Sequence, residues 1–202
     1  MQKISTKLMV IIVVAIVAFA FVSKSCSAYN KMVTMDENVN AEWAEVQNQY
    51  QRRFDLIPNL VSTVKGYASH EADVFKQVAE ARSRAGGVVN VDAQVLSNPD
   101  AFAKYQQAQD ALSSSLQRLL AVSENYPALK ANENFLSLQD QLEGTENRIA
   151  VSRQRFNDSA REFNSYIRRF PASIVNSLFA HFLPKQYFSA VSEAQAAPKV
   201  EF

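Results

Sequence analysis

The sequence predicts an all-α fold: an elongated antiparallel bundle of three to four long helices plus a short C-terminal helix, preceded by one N-terminal transmembrane helix. The first observation is a shortage of turn residues, since the 202 residues include only four glycines and six prolines. A sandwich or barrel needs more of them. The second is a stripe of apolar residues at helical spacing in residues 134–170, and the third is an apolar run near the N-terminus.

The stripe in residues 134–170 steps by three and four positions, close to the period of a coiled coil. Its large members are Phe135, Leu138, Leu142, Ile149, Phe156, Phe163, Ile167 and Phe170, and Thr145, Ser152 and Ala160 fill the gaps. A helix with one apolar face must bury that face, so the remaining helices are expected to pack around this central one. We expect a membrane anchor in residues 1–28, the bundle in residues 29–183 and a disordered tail in residues 184–202.

The apolar run of residues 8–22, between Lys7 and Lys24, predicts the anchor. Its 15 residues span about 22 Å as a helix, less than a hydrocarbon core of about 30 Å, so the flanking lysines are expected to reach outward. We favour an uncleaved single span. A cleaved signal peptide and a lipoprotein signal ending at Cys26 remain alternatives, although Lys24 stands where both prefer a small neutral residue.

Charge around the anchor bears on its orientation. Lys3, Lys7 and the α-amine precede the apolar run, while Lys24 and Lys31 follow it. The positive-inside rule therefore favours a cytoplasmic N-terminus by about one charge. On this count the bundle lies on the non-cytoplasmic side.

The first bundle helix is predicted over residues 33–84, where apolar residues again step by three and four. Pro58 lies inside it and removes a backbone donor, so we expect a kink or a break near residues 54–58. Gly86 and Gly87 end this helix. A loop over residues 88–98 follows. We expect Trp43, Leu116 and Phe156 to be buried, because each belongs to an apolar stripe.

Three more helices complete the predicted bundle. Pro99 stands in the first turn of the second long helix, and Pro127 lies just beyond its end. Asn132 or Asn134 can cap the central helix. A short helix over residues 172–182 is expected to close one end of the bundle.

Several separate segments of the chain resemble one protein family. They include Tyr29-Asn30, Arg52 to Val61 with the sequence RRFDLIPNLV, Lys65-Gly66-Tyr67-Ala68, His70-Glu71, Ala81-Arg82, Leu142 to Ile149 with the sequence LEGTENRI, Phe163-Asn164 and Phe170-Pro171. In this order, from about residue 29 to residue 182, the chain resembles the LemA family of bacterial membrane-anchored proteins. The resemblance implies a membrane helix, an elongated antiparallel bundle and no enzyme activity. It also implies a short N-terminus outside the cell, opposite to the charge count, and the expected location is the bacterial inner membrane, crossed once.

The sequence offers no convincing catalytic, cofactor or metal motif. His70-Glu71 begins like a zincin motif, but Val74 stands where the second histidine is needed. Glu-x-x-His and Gly-x-Ser-x-Gly do not occur, and Cys26 is the only cysteine. The net charge of +1 argues against broad attraction to nucleic acid. We therefore expect no enzyme activity, no cofactor, no metal and no nucleic-acid partner.

Polar residues beside the central stripe favour a solvated surface, and an interhelical network is the alternative. The candidates for that network are Arg52, Arg53, Asp55, Glu143, Glu146 and Arg153. Such a network would satisfy polar groups freed at Pro58 and set the helix register. A ligand or partner site is the third interpretation. The C-terminal end of the central helix is rich in arginine. These cations either stabilise the negative end of the helix dipole or bind anionic lipid headgroups.

These observations support three functional hypotheses. The first is a membrane-tethered bundle in the bacterial envelope, held to the bilayer through residues 8–22, that acts as an interaction or structural module with a protein partner. The second is an enzyme, or a protein that binds a ligand or ion, with its site in the polar seam between the helices. The third is a lipoprotein tethered through Cys26. A seam closed by its own side chains favours the first hypothesis, and a cavity lined by carboxylates favours the second.

Overall fold

The structure, a computed structural model, describes residues 6–87 and 92–189. This part of the chain is helical and contains no β-strand, which confirms the predicted fold class. The helices are α1 (Thr6–Tyr67), α2 (Ala72–Gly86), α3 (Pro99–Ser123), α4 (Pro127–Lys130), α5 (Glu133–Arg168) and α6 (Ala172–Val175). A 3₁₀ turn, Ala93–Ser97, precedes α3, and a π-helical turn, Asn176–Ala180, follows α6.

The predicted anchor and the first bundle helix form one continuous rod. α1 has 62 residues and is about 93 Å long at roughly 1.5 Å per residue. Residues 7–22 are exposed, and this end of α1 is long and apolar enough to cross a membrane. Burial against other helices begins at Ala28 and Met32. A core helix of a soluble protein would be covered here, whereas this segment is bare along its whole length.

The first long helix breaks after Tyr67 and not at Pro58, which corrects the predicted position of the break. Pro58 lies on the exposed side of α1, and the helix continues through it to Tyr67. The turn at residues 68–71 is tied to the distal end of the bundle. Tyr126 Oη donates to Glu71 at 3.3 Å, and Asn132 Nδ2 donates to Tyr67 Oη at 3.0 Å.

α1 and α5 form an antiparallel pair that runs the length of the bundle. Trp43, nearer the anchor, lies against Phe156 with ring centroids 5.6 Å apart. Farther along α1, Arg53 contacts Glu146, which comes earlier in α5. The residue number therefore rises along one helix as it falls along the other, as predicted for an antiparallel bundle.

α3 runs parallel to α1, and α2 runs antiparallel to both. Phe102 at the start of α3 packs on Trp43, with ring centroids 6.2 Å apart. Gln109 lies two turns beyond Phe102 on α3, and it contacts Arg53, which lies two to three turns beyond Trp43 on α1. The residue numbers rise together along the two helices, so the helices are parallel. α2 packs chiefly against α3. Within residues 6–87 and 92–189 the bundle thus has four long helices, at the upper end of the predicted range.

Two buried clusters fill the bundle. The cluster nearer the anchor is aromatic and centres on Trp43, whereas the distal cluster is mainly aliphatic and includes Leu116. Trp43, Leu116 and Phe156 are all buried, as predicted from their stripes. The aromatic cluster also contains Phe188, which comes from the far C-terminal segment.

Asparagine side chains mark three of the described helix boundaries. Asn98 accepts from the Ala101 amide at 3.1 Å before α3, and Asn132 accepts from the Phe135 amide at 3.0 Å before α5. The short C-terminal helix ends sooner than predicted, because the Asn176 side chain binds the backbone of Phe182 and His181 turns to a φ of 53°. The structure also corrects the start of the tail, since residues 184–189 pack on the bundle; residues 190–202 lie outside the described part.

Candidate functional site

Arg53 lies at the centre of the candidate site, and its side chain is 0% exposed. It projects from α1 between α3 and α5. Nη1 donates to Ser113 Oγ at 2.6 Å and to Glu146 Oε1 at 3.0 Å. Nη2 donates to Gln109 Oε1 at 2.6 Å and to the Gln109 carbonyl at 3.4 Å. Four acceptors from two helices compensate for removing the guanidinium from water, which would otherwise be costly.

The pairing around Arg53 is close but incomplete. Glu146 is about one-third exposed, so solvent reaches the carboxylate side of the ion pair. Two buried nitrogen atoms, Arg53 Nε and Gln109 Nε2, have no hydrogen-bond partner among the described residues. Both are donors. The seam is filled mainly by its own side chains, and these two N–H groups could still donate hydrogen bonds to a small acceptor.

Arg153 forms the second half of the seam, one to two turns closer to the anchor. Its Nε donates to Tyr50 Oη at 2.6 Å, and its Nη2 donates to Asp110 Oδ1 at 2.8 Å. Burial raises the pKa of Tyr50, although the charges of Arg153 and Arg53 act in the opposite direction. Tyr50 consequently stays neutral at ordinary pH and serves as an acceptor. Its ring also lies 5.0 Å from the Arg53 guanidinium, which joins the two halves.

Three of the six candidate network residues lie in this seam, namely Arg53, Glu146 and Arg153. The other three, Arg52, Asp55 and Glu143, are exposed on the bundle surface. Asp55 accepts from Gln51, and Glu143 accepts from Gln139, in each case one turn away on the same helix. The seam bonds side chains from three helices and makes no bond to the backbone at Pro58.

Sequence reasoning missed the partners that α3 supplies. These are Gln109, Asp110 and Ser113. Gln109 and Ser113 are four residues apart and adjoin the apolar stripe of α3, so a buried polar ridge was visible in principle. Arg53 is a candidate from the sequence because it is charged and lies close to Pro58. Uncharged Gln and Ser side chains carry no such signal.

An extended segment, residues 183–189, runs along α5 beside the seam, and we call it the C-terminal strap. Asn164 donates from Nδ2 to the Lys185 carbonyl and accepts from the Lys185 amide, both at 2.8 Å. Asn157 makes the same pair of bonds to Phe188, both at 2.9 Å. Asn157 and Asn164 are seven residues apart on a helix, and Lys185 and Phe188 are three residues apart in an extended chain. Both separations are about 10 Å, so the two asparagines match the spacing of their partners.

Further contacts bind the strap to the other helices. The Gln186 amide donates to the Leu96 carbonyl at 2.7 Å. Lys185 Nζ lies 2.7 Å from Asp36 Oδ1 on α1, and both side chains are largely buried. The Phe188 ring lies 4.9 Å from that of Phe102. The strap is therefore part of the core.

An open polar groove adjoins the seam and the strap. It has a volume of about 510 Å³, and Glu146, Arg153, Asn157 and Arg161 are among its lining residues. No group of three or more His, Cys, Asp or Glu side chains in the described ranges is arranged to hold a metal ion. Cys26, the candidate lipidation site, lies far from this groove, with an exposed thiol on α1 just beyond the apolar run.

Comparison with known proteins gives consistent matches. A model of the LemA family matches residues 42–202. Two proteins of Paramagnetospirillum magneticum, magnetosome proteins MamQ 1 and MamQ 2, are each 28% identical over 179 residues, covering 81% of this chain and 65% of theirs. Magnetosome protein MamQ of Magnetospirillum gryphiswaldense is 27% identical over 167 residues, covering 75% of this chain and 61% of its own. The chain thus spans somewhat less than two-thirds of the length of these relatives.

Proposed function

The chain belongs to the LemA family, and on that basis we propose that it is a membrane-tethered helical-bundle protein of the bacterial envelope. It acts as an interaction or structural module and has no catalytic activity. The observation that carries this proposal is the buried Arg53 guanidinium, which binds Gln109, Ser113 and Glu146 of its own chain. A seam filled in this way favours a structural role for the charges.

The tether is the exposed apolar end of α1. Residues 8–22 cross the inner membrane once, and α1 continues from the bilayer into the bundle without a flexible linker. A continuous helix of this kind fixes the distance between the bundle and the end of the apolar run along α1. The charge count supports a bundle on the non-cytoplasmic side. The similar proteins come from bacteria and are named for the magnetosome, which supports the bacterial setting.

A second candidate function is binding of a small ligand or ion in the polar groove. The observation in its favour is the pair of buried donors, Arg53 Nε and Gln109 Nε2, close to a groove bordered by Glu146 and Arg153. A third candidate is a lipoprotein. Cys26 is exposed just beyond the apolar run, where a lipidated residue would lie.

Thermal unfolding of the full chain in lipid nanodiscs distinguishes a module from a ligand-binding protein. A ligand that binds the folded state at a hundred times its Kd stabilises it by about 2.7 kcal/mol. We expect no rise in Tm with phosphate, nucleotides, Mg²⁺, Ca²⁺ or Zn²⁺. A compound that raises the Tm of the wild type but not that of Glu146→Gln would favour the second candidate.

Cross-linking in native membranes tests the interaction itself. We expect the full chain to give a discrete adduct with one protein, and the adduct should persist in the Glu146→Gln variant. The matched control carries residues 1–28 fused to an unrelated soluble domain, and it should give none. An adduct that the control also forms would arise from the anchor and would contradict a role for the bundle.

A further inference from the structure

The end of the bundle nearest the anchor exposes a cluster of large apolar side chains. We call it the apolar foot, and its members are Phe170, Ile174, Leu178, Phe179 and Leu183. Their exposed fractions lie between 38% and 81%. Burying such area stabilises a protein by roughly 25 cal/mol per Å², so its concentration at one end of the bundle indicates a surface that is covered in the working protein.

The foot lies level with the end of the apolar run of α1. Phe179 and Val175 line an apolar groove of about 350 Å³ together with Phe21 and Val22, the last residues of the run. α6 also packs directly against α1. The foot is thus continuous with the surface that the bilayer would cover.

The foot keeps its shape through hydrogen bonds of its own. Asn176 donates from Nδ2 to the Phe182 carbonyl at 3.1 Å and accepts from the Phe182 amide at 2.9 Å. The Asn176 carbonyl accepts from the His181 amide at 2.7 Å. These bonds satisfy backbone groups of the turn and leave Leu178 and Phe179 pointing outward. Such an arrangement suits an apolar medium, where unpaired backbone groups are costly.

A rim of basic and aromatic residues borders the foot. Arg168 and Arg169 are exposed at the end of α5, and Lys24 and Tyr29 are exposed on the neighbouring part of α1. Lysine and arginine side chains attract anionic headgroups, and tyrosine is enriched at membrane interfaces. Basic and tyrosine side chains next to the apolar end of α1 are the composition expected at the headgroup level of a bilayer.

We propose that the apolar foot inserts into the leaflet from which α1 emerges, so that the bundle meets the bilayer at two places. This inference rests on the membrane-tethered function proposed above. A single helix leaves the bundle free to tilt and rotate about the anchor, whereas a second contact beside it restricts both motions. The partner of this surface is lipid: acyl chains at the foot and anionic headgroups at its rim.

Quenching of tryptophan fluorescence by brominated acyl chains tests the proposal in the full chain. The protein is reconstituted into phosphatidylcholine–phosphatidylglycerol vesicles, with or without brominated lipid. Leu178→Trp places the probe in the foot, and Val151→Trp, at an exposed site on α5, is the matched control. Ile16→Trp places a probe in the anchor. The native Trp43 is buried about 31 Å along α1 from Val22, so it contributes a constant background.

We expect brominated lipid to remove most of the emission added by Leu178→Trp and none of that added by Val151→Trp. If Ile16→Trp is quenched and Leu178→Trp is not, the foot does not enter lipid and the inference fails, while the tether stands. A blue-shifted but unquenched probe at position 178 would mean that a second copy or another protein covers the foot, and this result also overturns the inference. If Ile16→Trp is unquenched as well, both proposals fail.

Discussion

Asn157 pairs with the backbone of Phe188 through both atoms of its amide group, at 2.9 Å in each direction. A side-chain amide on a helix here does what a neighbouring strand does in a sheet, because it supplies one donor and one acceptor to an extended chain. Asn164 repeats the arrangement one heptad later with Lys185. The two asparagines thereby direct the strap from the apolar foot up to the aromatic cluster at Trp43.

Loss of the Asn164 side-chain amide should release the strap at Lys185. In Asn164→Ala the amide and carbonyl of Lys185 lose their partners, and an unpaired buried group costs about 1–3 kcal/mol. We expect faster hydrogen exchange at the Lys185 amide and a lower Tm. The exposed Asn147 on the same helix provides the control, and Asn147→Ala should change neither. Unchanged exchange at Lys185 in Asn164→Ala would show that the strap is held by other contacts.

Removal of the buried guanidinium should destabilise the bundle strongly. Arg53→Ala deletes four hydrogen bonds and leaves Gln109 and Ser113 without their charged partner, at a cost of about 3 kcal/mol. For a chain of this length the Tm should fall by roughly 6–12 °C. The neighbouring Arg52 is exposed, so Arg52→Ala should stay within about 0.5 kcal/mol of the wild type. Equal melting temperatures for the two variants would contradict a structural seam.

Alkaline pH should destabilise the protein through its buried phenols. Burial raises the pKa of Tyr50 and of Tyr105 above the ordinary value of about 10. The unfolded chain releases these protons above about pH 10 while the folded chain retains them. The stabilisation is therefore complete below about pH 10 and is lost as the pH rises further, by about 1.4 kcal/mol per pH unit for each phenol. Urea unfolding at a series of pH values measures the loss.

Tyr105→Phe gives a control for the alkaline effect. Tyr105 Oη is buried and has no hydrogen-bond partner among the described residues, so deleting it should cost little at pH 8. The decline above pH 10 should become shallower by the share of one phenol. If the variant shows the same slope as the wild type, Tyr105 does not contribute to the pH dependence.

Periodicity predicted the helices and the core because the rods bury one face along their whole length. The stripes correctly identified Trp43, Leu116 and Phe156 as buried, and Asn132, one of the two candidate caps, does cap the central helix. The break in the first helix could not be read in the same way. Pro58 gives a strong local signal, but the turn after Tyr67 depends on bonds from residues 126 and 132, far away in sequence.

The seam and the strap show the same division between local and distant causes. Arg53 and Glu146 stood out as charged residues beside apolar stripes, whereas the contributions of Gln109 and Ser113 depend on how α3 lies against α1. Residues 184–189 contain only one strongly apolar anchor for the core, Phe188. Most of their hydrogen bonds to the bundle use backbone groups, which a pattern of side chains does not reveal.

The side of the membrane on which the bundle lies can be measured by labelling. Ser114 is exposed in the middle of α3, so Ser114→Cys in a Cys26→Ser background offers a single reactive thiol on the bundle. A membrane-impermeant maleimide should label it in intact spheroplasts, as the charge count predicts. Labelling only after lysis would place the bundle in the cytoplasm, the arrangement that the family resemblance implies.

The uncleaved tether is the central claim, and the intact mass of the protein from alkali-washed membranes tests it most directly. We predict that the protein remains in the membrane pellet and has the mass of the whole chain, 22.6 kDa. A chain that begins at a lipid-modified Cys26 would show a lipoprotein. A chain released into the wash without its first residues would show a cleaved signal peptide, and either result would contradict the account.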